Sequence, residues 1–242
     1  LPRRKKFNNT KGMNIKENLL RIKQTIADTA KRAGRAPEEI RLMAVSKTRT
    51  ADEVRKAYEA GQRLFGENRV KEGADKFRDL PEDIELHLIG HLQRNKVKHS
   101  IPVYSWVESI DKFETAEELN KRCEKEHLGK KILLEINTSG EDTKNGFISE
   151  DKARACLDSI LASCPALEMR GLMTIAPFTD NENRVRSSFS SLRELFEKLK
   201  KEYKELNLDT VSMGMSSDYQ LAIEEGSTLV RVGTAIFGKR EQ

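Results

Sequence analysis

Eight short apolar runs, each followed by a turn and then by an amphipathic segment, dominate this chain. The runs fall at 42–45, 63–65, 85–89, 103–107, 131–137, 169–175, 210–213 and 229–232. Helical patterns lie between them at 50–60, 67–78, 92–98, 111–126, 149–162, 182–206 and 217–225. A further helix precedes the first run, because Ile15, Leu19, Ile22, Ile26 and Ala30 recur at helical spacing and Gly34 ends the pattern. Asn14 with Glu17, Thr50 with Glu53, and Asp111 with Glu114 have the spacing of reciprocal helix caps. Strands that alternate with helices pair in parallel through crossover helices. Closing all eight gives a (β/α)8 barrel, a fold that takes about 250 residues; this chain has 242. An open doubly wound sheet is the alternative, but no GxGxxG follows the first run. The expectation is a single TIM-type (β/α)8 barrel over residues 13–242 with an extra N-terminal helix. Residues 1–12, with the cluster Arg3, Arg4, Lys5 and Lys6, read as a disordered basic tail or a processed leader.

Charge and composition remove several function classes. The 44 basic and 39 acidic residues leave a net charge of +5 spread along the chain, which favours solubility over nucleic-acid binding. Arg94, Lys96 and Lys98 alternate with Asn95 and Val97 but lack the interleaved aromatics of a single-strand binder, so a solvated face is expected. No run reaches the roughly 18 apolar residues of a membrane span, and no apolar core follows the basic cluster, so neither a membrane protein nor a secreted one is expected. Three cysteines, an odd number without close pairing, suit a reduced, cytoplasmic chain; the basic cluster leaves an organelle open. His87 and His91 are four apart, yet Gly90 interrupts any helix between them and no HExxH glutamate completes a set, so no metal is expected.

The carboxyl ends of barrel strands are where chemistry is sought. Lys47 ends the first apolar run, Leu42-Met43-Ala44-Val45-Ser46-Lys47-Thr48. Apolar neighbours favour the neutral amine, which attacks aldehydes; the other reading is a lysine that reaches out to water. In the last run, Leu229-Val230-Arg231-Val232-Gly233-Thr234, alternation puts Arg231 and Gly233 on one face, with a helix starting beside Thr234. Free N–H groups there suit a phosphate, and Ser216 in Ser212-Met213-Gly214-Met215-Ser216-Ser217-Asp218 stands at the neighbouring strand end. Ordinary turn chemistry is the competing reading of both loops. Asn68, after Phe65-Gly66-Glu67, is either a polar first-turn residue or a ligand contact. His91 reads as a site-lining or hydrogen-bonded histidine and His87 as strand packing.

Taken in order, Ala44-Val45-Ser46-Lys47-Thr48, Phe65-Gly66-Glu67-Asn68, Ile89-Gly90-His91-Leu92-Gln93, Gly171-Leu172-Met173, Ser212-Met213-Gly214-Met215-Ser216 and Val230-Arg231-Val232-Gly233-Thr234-Ala235-Ile236-Phe237-Gly238 resemble the pyridoxal 5′-phosphate homeostasis proteins, the YggS/PROSC family. The resemblance spans about residues 13–240. It implies a barrel like the N-terminal domain of bacterial alanine racemase, with pyridoxal 5′-phosphate (PLP) bound covalently. By motif, Lys47 matches the Schiff-base lysine and Arg231 the arginine facing the pyridine nitrogen. Ser216, Gly233 and Thr234 match phosphate contacts, and Asn68 and His91 match residues near the ring. Arg69 departs from the family, where a tyrosine commonly follows the asparagine.

An arginine keeps its proton, so a ring nitrogen facing it stays unprotonated and the ring is a weaker electron sink than one paired with aspartate. Racemisation also needs a second acid/base group, which alanine racemase takes from a tyrosine of a separate C-terminal domain. This chain ends four residues after Gly238, so no such domain is expected, and none of Tyr58, Tyr104, Tyr203 and Tyr219 presents itself as that base. The resemblance therefore implies a protein that carries and buffers PLP for vitamin B6 homeostasis, with no catalytic residues and with apo PLP-dependent enzymes as transient partners; nothing in the sequence gives a large exposed apolar face, so a monomer is expected. A racemase-like enzyme acting on small amino acids is the alternative. A barrel that binds a phosphate ligand and no aldehyde is another.

Overall fold

The computed structural model describes residues 14–141 and 143–239; the basic cluster at 3–6 lies outside them. Among the described residues, eight parallel strands close into a barrel in sequence order, and the last pairs with the first. They are β1 (Arg41–Val45), β2 (Leu64–Glu67), β3 (Glu85–Leu88), β4 (Trp106–Ile110), β5 (Lys130–Glu135), β6 (Leu167–Met173), β7 (Thr210–Ser212) and β8 (Leu229–Val232). The helices are α1 (Ile15–Arg32), α2 (Ala51–Glu59), α3 (Val70–Phe77), α4 (Val97–Ser100), α5 (Phe113–Lys125), α6 (Glu150–Ser163), α7 (Glu182–Glu202), α8 (Tyr219–Glu224) and α9 (Thr234–Phe237). This is the expected (β/α)8 barrel with α1 added before it.

Local chemistry sets these boundaries. Asn14 caps α1 and Thr50 caps α2, each through a full capping box that satisfies N–H groups the helix leaves unpaired. Along β1 the side chains alternate: Ala44 faces the helix layer, whereas Met43 and Val45 join Leu64 and Leu229 inside the barrel. A second inner cluster is Trp106, Leu133 and Met173. The extra helix α1 lies against α8 and α9, and the buried Asn18 amide donates to the Ile236 carbonyl at 2.9 Å.

The fourth strand corrects the sequence reading. The run at 103–107 gives way to Trp106–Ile110, because the Val103 and Tyr104 N–H groups donate to the Ser100 carbonyl and close a turn. Glu108 at the strand's centre is fully buried, so a charged inward residue hides the strand from an apolar count. The cap expected from Asp111 and Glu114 is also absent: α5 starts after Lys112 with no side-chain cap, and Asp111 turns to His91. The helix expected at 92–98 is a 3-10 turn, Arg94–Lys96, running into the short α4.

Candidate functional site

The candidate residues lie at the carboxyl ends of β1, β2, β3, β7 and β8, which are neighbours around the barrel. Lys47 is half-buried, two residues beyond the end of β1. Gly233 follows β8 and packs against β1: a Cβ on it would stand 3.1 Å from the Val45 carbonyl oxygen. The bare Cα thus lets the ends of β8 and β1 meet.

Ser216 completes this corner. Its hydroxyl oxygen accepts from the Gly233 N–H at 3.2 Å and from the Ala235 N–H at 3.4 Å. Its loop is shaped by Gly214, with φ of +93°, and by Asp218, which accepts from the Met215 N–H at 2.7 Å. Two backbone donors and a hydroxyl on one point form a donor set of the kind that binds a phosphate oxygen. Thr234 is exposed at the start of α9.

Arg231 points into the barrel and is 4% exposed. Its Nη1 donates to Ser212 Oγ at 2.6 Å and its Nη2 to the Thr174 carbonyl at 2.7 Å. Burial pulls its proton affinity down, and Glu108, Asp218 and Glu135 oppose that pull. An arginine starts so far above neutrality that it keeps its charge. Below it runs a polar chain that sequence reasoning missed. Ser212 donates to Glu108 Oε2 at 2.5 Å, and Glu108 Oε1 lies 2.5 Å from His87 Nδ1. His87 Nε2 lies 2.9 Å from Glu85, which also pairs with Arg41. Burial drives Glu108 upward, yet His87, Arg231 and Ser212 together hold it below its ordinary range. His87, read as strand packing, does stack on Trp106 but also joins two carboxylates.

On the other side of Lys47 stand Asn68 and His91. Gly90 has no room for a side chain, since its Cβ would lie 2.2 Å from the Asn68 carbonyl oxygen, and this brings the two loops together. His91 Nδ1 lies 3.0 Å from Asp111 Oδ2, and the ring is partly exposed. Glu135, the last residue of β5, is 6% exposed. Burial, then Asp111, push its carboxyl up to about 7 against the pull of Arg231. Its position after five apolar or basic strand residues offered no signal, because its environment comes from β8 and from the residue that follows β4.

Two clefts of about 420 and 880 Å³ open elsewhere, lined at strand starts by Arg41, Glu85, Lys131 and Leu167, and neither includes a candidate residue. Among the described residues no group of three or more His, Cys, Asp or Glu is arranged to hold a metal ion, and no helix is long and apolar enough to cross a membrane.

Residues 15–241 match the family described as the alanine racemase N-terminal domain. The pyridoxal phosphate homeostasis protein of Aquifex aeolicus (strain VF5) is 40% identical over 230 residues, covering 95% of this chain and 100% of that one. That of Escherichia coli (strain K12) is 41% identical over 235 residues, covering 94% and 97%. The PLP-bound structure of PipY from Synechococcus elongatus PCC7942 matches with a TM-score of 0.81 at 35% identity, covering 93% of this chain and 100% of that one. Alanine racemase from Bacillus anthracis, with bound L-Ala-P, matches with a TM-score of 0.68 at 16% identity over 93% of this chain and 57% of that one, a likeness of fold alone.

Proposed function

This chain belongs to the pyridoxal phosphate homeostasis proteins, on the barrel of the alanine racemase N-terminal domain family, and from that premise we propose that it binds PLP covalently on Lys47 and buffers it. One observation carries the assignment to residues. An amine, a buried guanidinium and a cluster of phosphate-type donors stand at the carboxyl ends of three adjacent strands, β1, β8 and β7.

The donor set suits the three polar ends of such a ligand. Ser216 and the N–H groups of Gly233 and Ala235 would hold the phosphate, with Thr234 beside them. Arg231, fixed by Ser212 and Thr174, would donate to the ring nitrogen and keep it unprotonated. Those two bonds use two of the five N–H donors a guanidinium carries. When bound, PLP supplies an aldehyde whose carbon bonds to the Lys47 nitrogen while its oxygen leaves as water with both hydrogens of the neutral amine. Asn68 and His91, the latter oriented by Asp111, close the far side of the site. Without a strong electron sink the residues favour holding over turnover. The same reading has a monomer that passes PLP to apo-enzymes by transient contact in a reducing compartment; three free, buried cysteines support the last point.

The test is the visible spectrum of the purified protein with PLP, before and after borohydride, followed by peptide mapping. A yellow band that bleaches and leaves a pyridoxyl group on Lys47 is expected, and Lys47→Ala should lose it while keeping its fold. A colourless protein, or a label on another lysine, overturns the assignment.

A further inference from the structure

The peptide groups on both sides of Lys47 are gripped by one buried ionic cluster. Lys76 of α3, whose side chain is 7% exposed, donates through Nζ to the Ser46 carbonyl at 2.7 Å. The same ammonium reaches Glu67 Oε1 at 2.7 Å and Glu72 Oε1 at 3.0 Å. Glu67 also accepts from the Ser46 hydroxyl at 2.7 Å. Glu72 accepts from the Thr48 N–H. The peptide before Lys47 is therefore tied to Lys76, and the peptide after it to the partner of Lys76.

The backbone between these ties is strained. Thr48 has φ of +64°, in the left-handed region. A β-branched residue enters that region only when its surroundings force it. Released from Glu72, the turn would favour another conformation, and Lys47 would turn with it. Buried ion clusters are weak contributors to net stability, because removing charges from water costs nearly what their attraction returns. What this one does supply is geometry: it fixes the turn from which a reactive amine projects, and a reacting atom held in place gains far more than one that must be found.

We propose that the Lys76–Glu72–Glu67 cluster is a positioning device for Lys47, holding the Ser46–Thr48 turn in the conformation from which the amine meets a bound aldehyde. This rests on the reading of Lys47 as the point of attachment, so wild-type protein is first trapped with borohydride and mapped; a label elsewhere defeats that reading and the positioning role with it.

With Lys47 trapped in the wild type, PLP is titrated into Glu72→Leu, whose side chain cannot accept from the Thr48 N–H, and into Lys76→Met, each with and without Thr48→Gly. Leu157→Ala, in the core under α6, serves as a variant that loses stability far from the turn. Glycine takes positive φ without threonine's penalty and should hold the turn unaided. The expected result is a loss of about five- to thirtyfold in attachment for the two single variants, the penalty of one left-handed residue. Thr48→Gly should recover most of that loss, and Leu157→Ala should attach PLP as the wild type does. If Lys76→Met does not fold, Glu72→Leu carries the test, since it leaves the Lys76–Glu67 pair in place. Wild-type attachment in Glu72→Leu, no recovery with Thr48→Gly, or an equal loss in Leu157→Ala each overturns the proposal.

Discussion

A serine spaces the buried arginine from the buried carboxylate at the centre of this barrel: Ser212 accepts from Arg231 at 2.6 Å and donates to Glu108 at 2.5 Å. The guanidinium is thereby fixed by Ser212 and by the Thr174 carbonyl. Arg231 and Glu108 are 4% and 0% exposed, so each depends on the other for its charge to be tolerated.

Glu108→Gln and Arg231→Met should each lower the unfolding free energy of the cofactor-free protein by about 3–5 kcal/mol, the cost of a buried charge left without its partner. The double variant should lose much less than the sum, since it buries neither charge. Urea unfolding of all four proteins measures the coupling; additive losses would show that the two groups do not depend on each other.

Removal of Arg231 should also alter the absorption band of bound PLP and speed its loss, because the ring nitrogen would lose its donor. The double variant, being folded, is the protein in which to look. An unchanged spectrum and unchanged release would remove the ring contact from the assignment.

Glu135 gives the cofactor-free protein a pH dependence near neutrality. Its carboxyl rises from 4.5 to about 7 on folding through burial and Asp111, so between those values the folded state binds more protons than the unfolded one. Its contribution is fully present below about 4.5 and is lost as pH rises through about 7. Glu135→Gln should flatten that slope and gain on the order of 3 kcal/mol in mildly alkaline buffer. Chemical unfolding across that range decides it; a slope kept in the variant assigns the effect to another group.

Glu85 acts in the opposite sense. Burial raises it, but His87 and Arg41 outweigh burial and bring it to about 2. Its contribution is present above its ordinary 4.5 and is lost as pH falls toward about 2. In Glu85→Gln the acid unfolding curve should start from lower stability and fall less steeply; a curve parallel to the wild type would contradict the pairing.

The cysteines should be inert in the folded protein. Burial pushes Cys123 up to about 11 and Cys156 up to about 12, and it also raises Cys164, so little thiolate forms near neutrality. A thiol reagent should react slowly with the native chain and reach three equivalents on unfolding. Fast reaction of one thiol in the native protein would mean that its burial is transient.

Local pattern alone was enough to read the order of elements and to point to the candidate corner. Periodic apolar residues and local caps such as Asn14–Glu17 and Thr50–Glu53 act within a few residues, so they can be read without partners. Lys47, Ser216, Arg231, Gly233 and Thr234 were legible because each sits at a strand end, where the (β/α)8 rhythm directs attention. What holds those residues came from packing across the barrel. Glu108 made the fourth strand seem to end at Val107, because a buried carboxylate is tolerable only beside His87, Ser212 and Arg231, which come from three other strands. Asp111 looked like a cap and serves His91, and Lys76, one basic residue in the 67–78 helical pattern, closes on Ser46, Glu67 and Glu72. The stability of a charge depends on what surrounds it in space. Closing the barrel brings together residues that lie far apart in the chain, and that closure selects their partners.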